Sequence, residues 1–294
     1  MSLCSKVTLG TACFLFCALQ TVAAEFLFES QTKLSFSDER FGGLSAIEML
    51  DGGTKFVTLT DRAVLFHGQV VRKSGAVSQV TVESARGLKN GHGEILKGWK
   101  SNSEGLAFDP RGRLHVSFEG DHKILQYQAL DGRATRLPDV PNYASLQNNS
   151  SLESLAIDGR GRIYTLPERS GKLDRPFPLY RFEKGQWTTF STIPRRDKFL
   201  PVAADFGPDG KFYLLERQHF APLRFQSRIR RFAVSEAGLT HEEVVLVTRV
   251  GQFGNLEGLS VWRDQAGKTR ASTVSDDNFL FLLSSTLVEF TLSE

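Results

Sequence analysis

Along this chain, short apolar runs alternate with turn residues, and five times they fall into the same order. Each copy reads as an acid or small residue, then Gly, Ser or Ala, an apolar run, a turn, a second apolar run and a closing charged residue. The copies are GGLSAI…KFVTLTD from Gly42, EGLAFDPRGRLHVSFE from Glu104, ESLAIDGRGRIYTLPE from Glu153, VAADFGPDGKFYLLE from Val202 and EGLSVWRDQAGKTRASTVSD from Glu257. Apolar runs bounded by Pro- and Gly-containing turns predict strands, and no stretch carries helical periodicity. In the second copy Leu106 to Phe108 and Leu114 to Glu119 form the first two strands, Lys123 to Ala129 a third, and Arg133 to Val140 serves as a fourth.

Counted from Leu44 through Leu106, Leu155 and Ala204 to Leu259, the copies recur every ~50 to 60 residues, a period that with several strands per repeat indicates propeller blades. The prediction is an all-β fold, a single β-propeller of five blades, with six as the alternative. Phe26 to Phe36 precedes the first copy and lacks a blade of its own. As an N-terminal strand it would complete the last blade and remove an open sheet edge. Asn142 to Ser151 and Arg169 to Pro178 read as polar loops, and no linker divides residues 25–294.

The first 24 residues stand outside the pattern. Lys6, an apolar stretch from Val7 to Leu19, and small residues before Glu25 predict a secretory signal peptide cleaved after Ala24. Cys4, Cys13 and Cys17 are the only cysteines of the 294-residue chain, so residues 25–294 offer no disulfide, zinc thiolate or thiol nucleophile. Without Lys6 the formal charge of +3 falls to +2, too balanced for the basic face that nucleic acid requires. No later window is apolar enough for a membrane span. The expectation is an exported, periplasmic protein.

The charged positions of the repeat carry the candidate chemistry. In an antiparallel pair the start of one strand and the end of the next share a rim. Glu104 should therefore meet Glu119, Glu153 should meet Glu168, and Glu257 should meet Asp276. The first copy keeps Asp61 but places Gly42 where the others have Glu. In the fourth, Val202 replaces the Glu, Glu216 falls one position early and Arg217 takes the closing slot. Carboxylates converging on a channel suit a hard cation, and the oxygen-rich donors favour Ca²⁺ over Zn²⁺. Asn102, Asn255 and Asn278 could add amide oxygens. Alternatively, the acids accept backbone N–H groups or pair with Arg62, Arg169 and Arg217, the candidate substrate-binding cations.

His122, three residues after Glu119, and His219, three after Glu216, are candidate general bases. His115 reads as structural. No G-x-S-x-G elbow, P-loop or dinucleotide fingerprint occurs. The clusters Arg195, Arg196, Lys198 and Arg228, Arg230, Arg231 read as solvated surface rather than anion sites, given the balanced charge.

SEGLAFDPRGRLHVSFEGDHKILQY, FYLLERQHFAPLRFQSRIRRF and NLEGLSVW…TVSDDNFLFLLSSTLVEF resemble the bacterial phytase-like family, described as having the esterase-like activity of phytase. The resemblance spans nearly all of residues 25–294. It implies a β-propeller exported to the periplasm of a Gram-negative bacterium and hydrolysing small-molecule esters or phosphate esters with Ca²⁺. The departures at Gly42 and Val202 leave the rim incomplete. The acid rim is also similar in architecture to that of calcium-dependent lactonase and paraoxonase-like propellers. Two functions follow: a metal-dependent hydrolase, or a non-catalytic propeller of the cell envelope binding a ligand or protein partner.

Overall fold

The computed structural model describes residues 23–147, 150–277, 279–280 and 283–294. The predicted signal segment, except for Ala23 and Ala24, and the candidate Asn278 lie outside the described residues. Twenty strands form five antiparallel sheets of four. Outermost in the last blade is β1 (Glu25–Lys33). Blade one contains β2 (Leu44–Leu50), β3 (Lys55–Thr60), β4 (Val64–Lys73) and β5 (Ala76–Gly87). Blade two contains β6 (Ser103–Phe108), β7 (Leu114–Phe118), β8 (Lys123–Tyr127) and β9 (Ala134–Arg136). Blade three contains β10 (Leu152–Ile157), β11 (Ile163–Pro167), β12 (Phe177–Glu183) and β13 (Gln186–Ile193). Blade four contains β14 (Leu200–Phe206), β15 (Phe212–Ala221), β16 (Arg224–Ser235) and β17 (Gly238–Val247). Blade five contains β18 (Asn255–Arg263), β19 (Thr269–Asp276) and β20 (Thr286–Ser293), with β1 paired along β20.

The first strands of successive blades contact one another in the order β2, β6, β10, β14, β18 and back to β2, closing the ring around an axis. Between blades the sheet faces bury aliphatic and aromatic side chains. One such layer sets Tyr213, Leu215 and Ile229 of blade four against Leu259, Val261 and Phe290 of blade five. The other helical content among the described residues is three short 3₁₀ turns, and no helix there is long and apolar enough to cross a membrane.

The hairpins joining the first two strands show why the repeat sequence folds this way. Asp109 Oδ1 accepts the backbone N–H groups of Arg111 and Arg113, and Asp158 does the same for Arg160 and Arg162. These are Asx-type turns, which short acids stabilise by mimicking a backbone turn. Gly105 and Gly258 serve another purpose. A Cβ on Gly105 would lie 2.7 Å from Leu155 Cβ, and one on Gly258 would lie 2.9 Å from the Ala46 backbone. Glycine at these places lets inner strands of neighbouring blades approach.

The arginines of blade four correct the reading of a solvated basic cluster. Arg228, Arg230 and Arg231 are all buried. Arg228 and Arg230 converge on buried Glu216, at 2.8 Å and 2.5 Å, while Arg231 pairs with Glu243 and Glu294. A strand face packed against another blade can hold guanidinium groups only when carboxylates accompany them.

Candidate functional site

Each blade carries a β-bulge between its first and second strands, after the first residue pair in blades one to three and after the second in blades four and five. The shifts fall between Leu44 and Ala46, Ser103 and Leu106, Leu152 and Ser154, Pro201 and Ala203, and Leu256 and Gly258. A bulge leaves an extra residue outside the ladder and re-aims its side chain. Those residues include Ser45, Glu104, Glu153, Val202 and Glu257. In blade two Ser117 Oγ accepts the Gly105 N–H at 2.9 Å, satisfying a donor at the disrupted ladder. On the facing chain, one residue past the partner of the residue before each bulge, stand Asp61, Glu119, Glu168, Arg217 and Asp276. Ser45, not Gly42, is thus the first-blade counterpart of Glu104. Leu44 imitates the repeat leucine in sequence, but pairing aligns Ile47 with Leu106. Gly42 lies in the loop before β2.

Glu104, Glu119 and Glu153 come together, each offering an oxygen within 4.8 Å of the others. Glu119 is buried, whereas Glu104 and Glu153 retain partial exposure. Asn102 Nδ2 donates to Glu119 Oε2 at 2.5 Å. Burial is the main force raising the pKa of Glu104 and Glu153 well above the usual carboxylate range, and the neighbouring acids add to it. Burial also raises Glu119, against the hydrogen bonds it shares with Glu153 and Asn102. Asp61, beside this cluster, is pushed up to about 6, chiefly by burial and further by Glu257 and Asp277, with Arg62 opposing. Its Oδ1 is buried without a hydrogen-bond partner.

The opposite side of the ring is neutralised by the chain itself. Arg217 donates to Asn255 Oδ1 at 2.5 Å and to Glu257, and lies 3.5 Å from Glu168. Asn255 Nδ2 in turn reaches Glu257 at 2.8 Å and Asp276 at 3.5 Å. Burial disfavours the charge on Arg217, but Glu257, Glu168 and Glu153 outweigh it and raise its pKa. Of the six acids singled out as metal ligands, Glu104, Glu119 and Glu153 therefore form an open cluster. Glu168 and Glu257 are tied to Arg217, while Asp276 is reached by Asn255.

The remaining candidates lie around this ring. Arg169 is 3.4 Å from Glu168, and Arg62 stacks 3.5 Å above the Phe279 ring. His122 follows Glu119 in a left-handed turn, its ring edge-on to Tyr143 at 5.5 Å. His219 is exposed and stacks on Phe225 at 5.1 Å in the long β15–β16 hairpin. His115 is buried, with Nε2 2.8 Å from Gln126 Nε2.

Sequence reasoning missed a second acidic pair on the inner strands. Ser260 Oγ donates to Glu48 Oε2 at 3.2 Å, and Asp205 accepts the backbone N–H groups of Val261 and Phe206. Burial pushes Asp205 up to about 7 and raises Glu48 well above its ordinary value, with Asp205 adding to the rise of Glu48. Their shared signal was an acid at the same inner-strand phase, visible only once the pairing register is known.

The cluster's donor set fits a hard divalent cation. It is all oxygen, and its separations are spanned by ligand distances of about 2.3 to 2.6 Å. Mutual repulsion is relieved when such a charge enters, and neither Cys nor His stands in the cluster to favour Zn²⁺.

The chain is similar to several solved structures. The α-L-arabinofuranosidase PaAbf62A from Podospora anserina, in complex with cellotriose, gives a TM-score of 0.52 at 13% identity over 92% of this chain and 98% of that chain. A protein of unknown function from Dyadobacter fermentans gives 0.48 at 13% identity over 84% and 75%, respectively. The gluconolactonase XC5397 from Xanthomonas campestris gives 0.43 at 13% identity over 80% and 68%. At 13% identity the likeness to PaAbf62A is one of fold alone. No curated protein matches the chain in sequence. The family model described as phytase-like, esterase-like activity of phytase, matches residues 39–279, and the chain belongs to that family.

Proposed function

We propose that this propeller hydrolyses ester or phosphate-ester bonds in the periplasm, with Ca²⁺ held by Glu104, Glu119 and Glu153. The observation that carries the reading is the convergence of three carboxylates, each offering an oxygen within 4.8 Å of the others. The family's description as esterase-like agrees with it. A bound Ca²⁺ supplies Lewis-acid polarisation of the ester oxygen and a more acidic water.

The chain's own residues provide the rest. Asn102 fixes the Glu119 carboxylate by donating to its Oε2. Arg217 pairs with Glu257 and Glu168, which engages these neighbouring acids with a guanidinium rather than the cation. Asp61 has the environment of an acid–base group: an unpartnered oxygen and a pKa of about 6. It accepts the proton of the attacking water as the oxygen–carbonyl or oxygen–phosphorus bond forms. It then returns that proton to the leaving alcohol oxygen as the ester bond breaks. His122, edge-on to Tyr143, also keeps a buried unpartnered Nδ1, and His219 stacks on Phe225; Asp61 is preferred to both for its place beside Glu104.

The test combines thermal unfolding with turnover of phenyl acetate, phenyl phosphate and a γ-lactone, with Ca²⁺ or chelator. Ca²⁺ at a hundred times its Kd should stabilise the fold by about 2.7 kcal/mol. Glu104→Gln and Glu153→Gln should each abolish that response and reduce turnover at least roughly a hundredfold, as expected when charge stabilisation is lost. Turnover that survives both substitutions, or a protein with neither Ca²⁺ response nor turnover, defeats the proposal.

A further inference from the structure

A cavity of about 700 Å³ opens between the first two blades, within the range typical of small-molecule sites. Its inner wall includes Asp61, Asn102 and Gly120. The first adds to the repulsion on Glu104, the second donates to Glu119, and the third follows Glu119 in the chain. The cavity is therefore bordered by residues that adjoin the carboxylate cluster. Its outer wall has a different character, presenting Trp99 and Ile95, which are 64% and 47% exposed.

Two cations complete the outer part. Among the described residues, Lys97 has no ion-pair or hydrogen-bond partner, and it lines the cavity. Arg62 lies flat on Phe279, with Asp61 no closer than 3.9 Å. Arg40, also in the wall, is already committed to a bidentate pair with Asp38. Aromatic surface and an uncommitted ammonium beside an acidic centre recognise a ring that carries a negative charge.

We propose that this cavity holds the non-reacting arm of the substrate, and that the arm is an aromatic ring bearing an anionic group. The ring lies against Trp99 and Ile95, its anionic group reaches Lys97 and Arg62, and the ester bond is presented to Asp61 and Glu104. This assignment rests on the hydrolase reading for its chemistry, but the pocket can be tested without turnover.

The probes are 4-hydroxybenzoate, phenol and 6-hydroxyhexanoate, with binding followed by calorimetry and Trp fluorescence. 4-Hydroxybenzoate should bind about tenfold more tightly than either probe lacking the charge or the ring, corresponding to about 1.4 kcal/mol. Lys97→Gln should reduce it to the level of phenol, and Trp99→Ala should weaken both aromatic probes. Both positions are exposed, so unchanged thermal unfolding verifies the fold. Equal binding of 4-hydroxybenzoate and phenol, or indifference to Lys97→Gln, overturns the assignment. Hydrolysis of 4-acetoxybenzoate to acetate and 4-hydroxybenzoate is then compared with that of phenyl acetate. Probe binding without turnover of either ester upholds the pocket and defeats the hydrolase reading. Turnover of both esters at equal kcat/KM does the reverse.

Discussion

Asp205 and Glu104 are both buried acids with raised pKa values, yet their surroundings set them different tasks. Asp205 accepts two backbone N–H groups, at 2.6 and 2.7 Å, and shares its region with Glu48 and Ser260. Glu104 faces other carboxylates across the mouth. Both bind protons more tightly folded than unfolded. For Asp205 the folded value is about 7 against an ordinary value of 3.8. Between those values the native state holds more protons than the unfolded state, so stability falls as pH rises. Its neutral form is fully favoured below pH 3.8, and the benefit is gone above about pH 7. In chelator, the urea midpoint should decline as pH rises from 3.8 to about 7, the window set by that shift. Asp205→Asn should reduce the decline, leaving the part contributed by the other acids of raised pKa, without altering the response to Ca²⁺. A slope unchanged by that substitution would show that Asp205 does not carry it. The sequence displayed Glu104 because the repeat marks where a strand begins. It concealed Asp205 and Glu48 because an acid inside an apolar run reveals nothing about which way it points.

Blade four shows how an element can depart from its repeat and still hold the ring together. Its bulge residue is Val202, its closing position is Arg217, and Glu216 has turned inward. The turn follows from strand alternation: adjacent residues face opposite sides, so Glu216 enters the layer while Arg217 reaches the channel. Glu216 accepts from Arg228 Nε at 2.8 Å and from Arg230 Nη2 at 2.5 Å. Glu216→Gln would leave two guanidinium groups undercompensated, at a cost of about 3 to 5 kcal/mol. Urea unfolding measures that loss, and Glu216→Leu with Arg230→Met should recover much of it. If the double variant is no more stable than Glu216→Gln, the network does not act through unpaired charge. The repeat made five blades legible, since turns and apolar runs are local signals. Pairing was less accessible. Leu44 mimics Leu106, whereas the register that places Ser45 at the bulge depends on contacts across the sheet.

At the scale of the molecule, the last blade is completed by β1, which lies distant in sequence from the other strands of that blade. It runs antiparallel to β20 from Glu25 opposite Ser293 to Lys33 opposite Thr286. Phe26 is buried in the layer between blades four and five, and Phe28 stacks on Phe253 at 5.5 Å. Arg270 lies 3.7 Å from Glu29, adding a polar tie within that blade. Removing residues 25–33 would expose β20 as an edge and leave one face of the adjoining layer without Phe26. Burial of that phenyl ring alone contributes roughly 1.5 to 3 kcal/mol. The truncated protein should unfold at lower temperature and associate through β20, because an unpaired edge accepts another strand. Light scattering and calorimetry measure these effects. A peptide of residues 25–33 should suppress association and raise the unfolding temperature by restoring the ladder. The same peptide with Phe26→Ser should pair less tightly, since its backbone can still bond to β20 but its side chain no longer fills the layer. A monomeric truncated protein with unaltered unfolding would place the stability of the ring in its inner strands. That result would leave β1 as a cover for the edge rather than the element that fastens the first and last blades.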